Sequence, residues 1–309
     1  MKALLTAAAI LIATSASAQV ANTPTAAAAL PGLGIELSRE MVGGTMALYA
    51  PLHAQENTDG LSILTDQSYG DDPRNVLDLY APAGADGRLP IMVFVHGGGF
   101  VRGDKKDVAN IGAHFAKHGV VTAMMNYRFA PENTWPSGAE DIAGVLAWIK
   151  SNGAAMGGDP TKIIIAGNSA GAMHAADYAF HEELQLADDG VIGAILISTP
   201  TVDLEAREVD PKRDALYYGA DGDRAAQSVV NALDGRKLPV LVAYAQNEPA
   251  VIIDQVRLLI AGLAARDGRL PLISAAAGHN HISIVEHIGT ADETLAPDML
   301  EFIQLVSAQ

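Results

Sequence analysis

The stretch Ile163-Ile164-Ile165-Ala166-Gly167-Asn168-Ser169-Ala170-Gly171 decides the fold of this chain. Its four apolar residues predict a buried strand, and the small residues that follow predict a helix. A Gly-x-Ser-x-Gly pattern between a strand and a helix is typical of a sharp turn that lifts the serine above the sheet. The helix N-terminus favours negative charge that develops beside it. We therefore predict that Ser169 is a nucleophile.

Apolar, β-rich runs alternate with helical patterns on both sides of this stretch. Continuous apolar strands that alternate with helices predict an α/β fold, with a mostly parallel sheet covered on both faces. About eight strands are indicated, near residues 61–64, 76–80, 91–95, 120–125, 163–166, 192–197, 240–245 and 272–275. Helices are indicated near residues 106–117, 138–152, 170–181, 250–267 and 295–306.

Two segments depart from this rhythm. Apolar residues recur at helical spacing over 35–52, where the pair Gly43-Gly44 is expected to weaken or bend the helix. Residues 199–238 form a long, charged connection with a helical piece near 223–233. Because long connections in compact domains are usually functional, we expect small cap elements at about 31–52 and 199–238.

A second glycine-rich turn follows the predicted strand at 91–95, with the sequence His96-Gly97-Gly98-Gly99-Phe100. Such a loop brings backbone N–H groups close to a ligand oxygen. In acyl transfer that oxygen becomes an anion, and donors must point to where it forms. We assign the donors of this oxyanion hole to the N–H groups of Gly98, Gly99 and Ala170.

A serine hydroxyl needs a base to take its proton, and a carboxylate to orient that base. In this strand–turn–helix context the chain order is serine, acid, histidine. Only His279, His281 and His287 lie after the start of the last predicted strand. We choose His281 as the base, with His279 as the runner-up. The His-x-His pair is also a pattern of metal ligands, but no third ligand stands out, so no metal is predicted.

Glu248 is the predicted acid because it stands where the strand at 240–245 ends. Asp254 lies a turn into the next helix and is expected to point elsewhere. Glu286 is too close to His281 in sequence to be its expected partner. His174, five residues after Ser169 on the same helix, is expected to be structural.

The N-terminus has the pattern of a secretory signal peptide over residues 1–18, with Ala16-Ser17-Ala18 as the cleavage site. Residues 19–30 are expected to be a flexible leader, followed by one domain over 31–309. The chain has no cysteine, so disulfides are excluded. Its formal net charge of −16 disfavours nucleic acids and anionic membranes as partners. The oligomeric state is left open.

Together these motifs resemble the α/β-hydrolase-fold esterases of the hormone-sensitive-lipase-like and small carboxylesterase/arylformamidase group. The resemblance covers about residues 69–287. It implies hydrolysis of carboxylic esters through an acyl-enzyme, without a cofactor or metal. The sequence differs from the group's usual pattern at Asn168 and Glu248, where aspartate is commoner, and after Glu248 it lacks the usual acidic continuation. The other landmarks lie at residues 69–74, 77–82, 96–100, 103–105, 126–132, 136–141 and 158–160.

The sequence thus predicts an exported serine carboxylesterase that acts on a small-molecule ester, with short acyl groups preferred. The alternative is an amide or formamide hydrolase that uses the same triad. A ligand-binding protein on a catalytically dead scaffold is a second alternative, but it requires a missing triad member. Ser169, Glu248 and His281 are all present.

Overall fold

A computed structural model describes residues 26–207 and 214–308. The signal peptide expected over 1–18 lies outside the described residues and stays a prediction. No helix in the described ranges has the length and apolar character needed to cross a membrane.

Eight strands form a single sheet, as the apolar runs predict. They are β1 (Leu61–Ser68), β2 (Val76–Pro82), β3 (Leu89–Val95), β4 (Val121–Met125), β5 (Gly158–Asn168), β6 (Val191–Ile197), β7 (Val240–Asn247) and β8 (Leu272–Asn280). Their order in the sheet is β1-β2-β4-β3-β5-β6-β7-β8. β2 pairs antiparallel with β1 and β4, and every other neighbouring pair is parallel. This architecture confirms the predicted α/β-hydrolase sheet.

The α-helices follow the predicted alternation and add short segments in the connections. They are α1 (Ala26–Ala29), α2 (Arg39–His53), α3 (Ala109–Lys117), α4 (Ser137–Asn152), α5 (Ala170–Phe180), α6 (Asp214–Tyr218), α7 (Arg224–Gln227), α8 (Ala250–Asp267), α9 (Ser283–Glu286) and α10 (Ala296–Ser307). Turns of 3-10 helix lie at Leu30–Leu33, Lys105–Val108, Gly153–Met156, Glu182–Leu184 and Val229–Asn231.

The centre of the sheet is buried on both faces because residues 91–95 of β3 and 163–166 of β5 are all apolar. Successive side chains of a strand point to opposite faces. On β3, Val93 and Val95 therefore join the cluster that contains residues of α4, α5 and α8. Phe94 joins the other cluster, with residues of α3 and α10. Burial of one such side chain stabilises the fold by about 1.5–3 kcal/mol, and it fixes the strand ends that carry the site.

Two expectations for the N-terminal region are wrong in detail. The last five residues of the predicted leader, 26–30, are helical, since an alanine run favours helix and Leu30 is buried. The predicted helix at 35–52 begins only at Arg39, because Ser38 caps it by accepting a hydrogen bond from the Met41 N–H. The two glycines do not interrupt α2. A Cβ on Gly44 would lie 2.7 Å from a methyl group of Leu33, so this glycine allows close packing.

Candidate active site

The predicted site residues lie at one edge of the sheet. Strands β3, β5, β6, β7 and β8 run parallel, so their carboxyl ends meet at the same edge. In open α/β sheets this edge is where ligands bind. The glycine loop, Gly97–Gly99, follows β3, and Ser169 follows β5. Ser198, Glu248 and His281 follow β6, β7 and β8 in turn.

Ser169 occupies a sharp turn between β5 and α5. Its backbone has φ 55° and ψ −122°, a region that L-residues rarely adopt. A Cβ on Gly167 would lie 2.4 Å from the backbone of Gly171, and one on Gly171 would lie 2.1 Å from the Val95 carbonyl oxygen. Both glycines are therefore required by backbone contact, as the sequence pattern predicts. The Ser169 N–H donates to the Ile197 carbonyl at 2.9 Å, which ties the turn to β6.

The glycine loop lies against this turn. A Cβ on Gly97 would lie 3.3 Å from the Cβ of Ser169. Gly98 has φ 140°, and a side chain there would lie 1.8 Å from the Arg102 carbonyl oxygen. Gly99 also has a positive φ, of 61°. Only glycine fits the backbone at Gly98, and the loop as a whole is held next to the serine.

The three predicted oxyanion donors have no backbone acceptor of their own. Within the part of the chain that the structure describes, the N–H groups of Gly98 and Gly99 make no hydrogen bond. Ala170 is the first residue of α5, and first-turn N–H groups have no intrahelical partner. Ser169 and Gly97–Gly99 are half-buried, whereas Ala170 is 1% exposed.

His281 and Glu248 form a buried pair. The Nδ1 of His281 lies 2.7 Å from Oε2 of Glu248, and the two residues are 2% and 4% exposed. Because a carboxylate only accepts, Nδ1 carries the proton, and the Nε2 lone pair is left to take another. The other oxygen of Glu248, Oε1, accepts from the Ser198 hydroxyl and from the Ala245 N–H.

His279, the runner-up for the base, belongs to a different hydrogen-bond network. Its Nδ1 lies 3.1 Å from the Ser283 hydroxyl, and its Nε2 lies 3.2 Å from Asp292. His279, His287 and Asp292 bring ligand-type atoms within 4.8 Å of one another, a grouping that the sequence did not indicate and that supplies no third ligand to the His-x-His pair. His281 is not a member of this group. His287 Nδ1 donates to the Ser283 carbonyl, and Nε2 accepts from the Leu295 N–H at 3.2 Å. The ring nitrogens are thus already bound by protein atoms, as in a structural network.

The loop that carries His281 is fixed from both sides. Asn280 accepts through Oδ1 from the N–H groups of Ile282 and Ser283, which closes a tight turn. Its Nδ2 donates to the Thr45 hydroxyl of α2 at 2.9 Å. The predicted cap helix α2 therefore contacts the turn beside the predicted base.

The other two acids considered from the sequence lie elsewhere. Asp254 is exposed on α8 and pairs with Arg257 at 3.0 Å. Glu286 lies on α9, 3.5 Å from the ring of His53. Burial raises the pKa of Glu286 to about 7.

An aromatic cluster packs behind the glycine loop. Phe100 stacks on Tyr217 of α6 with ring centroids 4.4 Å apart. The Tyr217 hydroxyl lies 3.2 Å from Nδ1 of His174. Burial lowers the pKa of His174 to about 3, so this ring is neutral and structural, as expected. Part of the predicted cap at 199–238 thus forms an aromatic wall beside the loop.

Sequence reasoning missed Ser198 and Thr45. The signal for Ser198 was present, because it directly follows a predicted strand, as the other site residues do. Thr45 lies in a helical pattern and makes its contact 235 residues away in sequence, so nothing local marks it.

The chain is similar to known proteins in sequence over part of its length and in fold over most of it. Residues 77–195 match the family model described as BD-FAE. The chain is 38% identical over 122 residues to a probable isoprenylcysteine alpha-carbonyl methylesterase of Oryza sativa. The matched region covers 40% of this chain and 29% of that protein. It is 35% identical over 133 residues to the probable carboxylic ester hydrolase LipM of Mycobacterium tuberculosis, with 42% and 31% covered. The matched region thus spans about a third or less of these two curated relatives.

A solved structure with the same fold extends the likeness to most of the chain. Esterase B from Lactobacillus rhamnosis superposes with a TM-score of 0.71 at 22% identity, over 86% of this chain and 93% of that one. The resemblance expected from the sequence is therefore confirmed: the chain has the α/β-hydrolase fold, and its residues 77–195 match the BD-FAE family.

Proposed function

We propose that this protein hydrolyses carboxylic esters through an acyl-enzyme formed on Ser169. The observation that carries the proposal is the buried hydrogen bond between His281 and Glu248, at the sheet edge that also bears the serine turn. A histidine with Nδ1 bound to a buried carboxylate is held in one tautomer, with Nε2 as a base. The neighbouring glycine loop offers unpaired N–H groups, which acyl transfer requires.

The geometry supports a two-step reaction. His281 Nε2 takes the proton of the Ser169 hydroxyl, and the serine oxygen attacks the ester carbonyl. The N–H groups of Gly98, Gly99 and Ala170 stabilise the oxyanion of the tetrahedral intermediate. The intermediate expels the alcohol, which receives the proton from His281 and leaves the acyl group on Ser169. Water then repeats the sequence and releases the acid, while Glu248 stabilises the imidazolium.

Small esters with short acyl groups are the proposed substrate class. Phe100 and Tyr217 are both buried and stack on each other, so the space directly behind the glycine loop is filled. The relatives support ester chemistry, since those proteins are named as a methylesterase, a carboxylic ester hydrolase and an esterase.

The direct test is Ser169→Ala, assayed with p-nitrophenyl acetate. We expect turnover to fall by about 10³-fold or more, because the nucleophile is lost while only oxyanion binding remains. Ser151→Ala, an exposed serine on α4, is the matched control and should keep full activity. Circular dichroism should show that both variants are folded. Unchanged activity of folded Ser169→Ala would refute the proposed function.

A further inference from the structure

The acid of the candidate triad has a second side-chain partner. Oε2 of Glu248 faces His281, and Oε1 accepts from the hydroxyl of Ser198. Ser198 is fully buried, so the hydrogen bond is made away from water. The only other donor to this oxygen among the described residues is the Ala245 N–H, at the longer distance of 3.3 Å. The Ser198 hydroxyl is therefore the main restraint on Oε1, the carboxylate oxygen that does not face His281.

The backbone around Ser198 has an unusual conformation and is held by two hydrogen bonds. Its φ is 56°, in the left-handed region that residues other than glycine adopt at a cost. The Ser198 N–H donates to the Ala243 carbonyl of β7 at 2.8 Å. The preceding carbonyl, of Ile197, accepts from the N–H of Ser169. One short segment thus joins the serine turn to the acid.

We propose that Ser198 is a positioning residue, whose hydroxyl fixes the Glu248 carboxylate so that Oε2 faces His281. The role rests on the proposed function. A buried carboxylate has about four lone-pair sites, and the bond to His281 with only the longer bond from the Ala245 N–H would leave it freer to rotate about its Cγ–Cδ bond. A donor on the opposite oxygen removes that freedom. Because hydrogen bonds to charged groups are about twice as strong as neutral ones, this donor sets the orientation of the acid and, through it, of the base.

The chain offers a matched control in the next residue. Thr199 is also fully buried, and its hydroxyl has no hydrogen-bond partner within the described ranges. Ser198→Ala and Thr199→Val each delete one buried hydroxyl from the same segment. Only the first deletion touches Glu248. Ser198→Gly deletes the same hydroxyl and also suits the positive φ, so it separates loss of the hydroxyl from backbone strain.

The kinetic test compares these three variants with the wild type on p-nitrophenyl acetate. We expect kcat to fall about tenfold in both Ser198→Ala and Ser198→Gly, with KM unchanged, since one charge-assisted hydrogen bond is lost. Thr199→Val should retain the wild-type kcat. A wild-type kcat in folded Ser198→Gly would overturn the positioning role, even if Ser169→Ala is inactive as the proposed function requires.

A second readout does not depend on turnover. The Nδ1 proton of His281, hydrogen-bonded to a carboxylate, gives a low-field proton NMR resonance in the free protein. We expect this resonance to move or broaden in both Ser198 variants and to stay in place in Thr199→Val. If it is unmoved in both Ser198 variants, the proposal is wrong. If it moves while Ser169→Ala still hydrolyses the ester, Ser198 positions Glu248 as stated and the serine mechanism is what fails.

Discussion

Two neighbouring regions of the site are built in different ways. The nucleophile region, Gly97–Gly99 with Gly167–Gly171, is shaped by backbone: positive φ angles, close approach of glycines and unpaired N–H groups. The acid–base region, Ser198 with Glu248 and His281, is shaped by side-chain hydrogen bonds between buried polar atoms. The first needs glycine at particular positions, and the second needs particular side chains.

This difference decides what each region tolerates. In the nucleophile region, a Cβ added at Gly98, Gly167 or Gly171 would lie within 2.4 Å of backbone atoms. In the acid–base region the contacts are side-chain hydrogen bonds, so loss of one member breaks the chain of hydrogen bonds. We therefore expect substitution of the glycines in the first region to affect folding, and conservative substitutions in the second to affect turnover with little change in folding.

The largest effect is expected for Glu248→Gln. The amide can accept from His281 through oxygen, but it can also present its NH₂ group and stabilise the wrong tautomer, and it carries no charge to stabilise the imidazolium. The corresponding change in a serine protease triad lowers kcat by about 10⁴, and we expect a loss of about 10³–10⁴-fold here with the melting temperature nearly unchanged.

The matched control for Glu248→Gln is Asp254→Asn, which removes an exposed carboxylate paired with Arg257 on the following helix. It should retain wild-type kcat. Equal activity of the two variants would show that Glu248 does not serve as the acid.

Gly171→Ala should destabilise the folded protein through a steric clash in the nucleophile region. The new Cβ would lie 2.1 Å from the Val95 carbonyl oxygen, a contact that only a backbone shift can relieve. We expect the free energy of unfolding to fall by about 3 kcal/mol. Urea denaturation gives this value.

For Gly43, substitution by alanine is expected to raise stability instead of lowering it. Gly43 lies exposed within α2, and a Cβ there meets no atom within 4 Å. Gly43→Ala should therefore stabilise the protein by up to about 1 kcal/mol through helix propensity. Destabilisation of similar size in both variants would show that close backbone approach is not what requires Gly171.

A smaller, pH-dependent effect is expected from Asp177, on the helix that follows Ser169. Burial raises the pKa of this carboxyl well above its usual range. Its nearest basic atom is Nε2 of His181, 3.8 Å away, and burial lowers the pKa of that ring, so it supplies no charge. The folded protein thus keeps a proton that the unfolded chain loses once the pH exceeds about 4.

Unfolding therefore releases a proton at pH values between the unfolded and the folded pKa, and this carboxyl makes stability decline as the pH rises above its ordinary pKa. Asp177→Asn removes the ionisation, so its melting temperature should exceed that of the wild type at pH 7. The difference should shrink as the pH is lowered through about 4, where the unfolded carboxyl also becomes protonated. Glu182→Gln, which removes an exposed carboxylate with no ion pair among the described residues, should leave the profile unchanged. A variant that is less stable than the wild type at pH 7 would contradict this account.

The same contrast explains what the sequence predicts well. All eight strands follow from continuous apolar runs, and the serine turn and the glycine loop follow from local patterns within a few residues. The acid–base region depends on residues far apart in the chain: 33 positions separate Glu248 from His281, and 50 separate it from Ser198. Strand ends indicate such residues as candidates, but the register of β7 against β8 determines which side chains meet.

Choosing among the histidines illustrates this limit. His279 and His281 are two residues apart, and no local pattern distinguishes them. In the structure β8 continues to Asn280, beyond its predicted end at 275, so His279 lies within the strand and faces Asp292 and Ser283. The predicted cap at 199–238 shows the same limit of local patterns. The stacking of Tyr217 on Phe100 depends on how this non-periodic connection folds back onto the glycine loop.

Labelling with a fluorophosphonate, followed by peptide mass spectrometry, tests the central claim most directly. The reagent phosphonylates a serine only when a base and an oxyanion site activate it. We expect one adduct, on Ser169, and a rate of labelling that falls strongly in Glu248→Gln while the protein stays folded. An unlabelled wild-type protein, or an adduct on another serine, would contradict the assignment of Ser169 as an activated nucleophile.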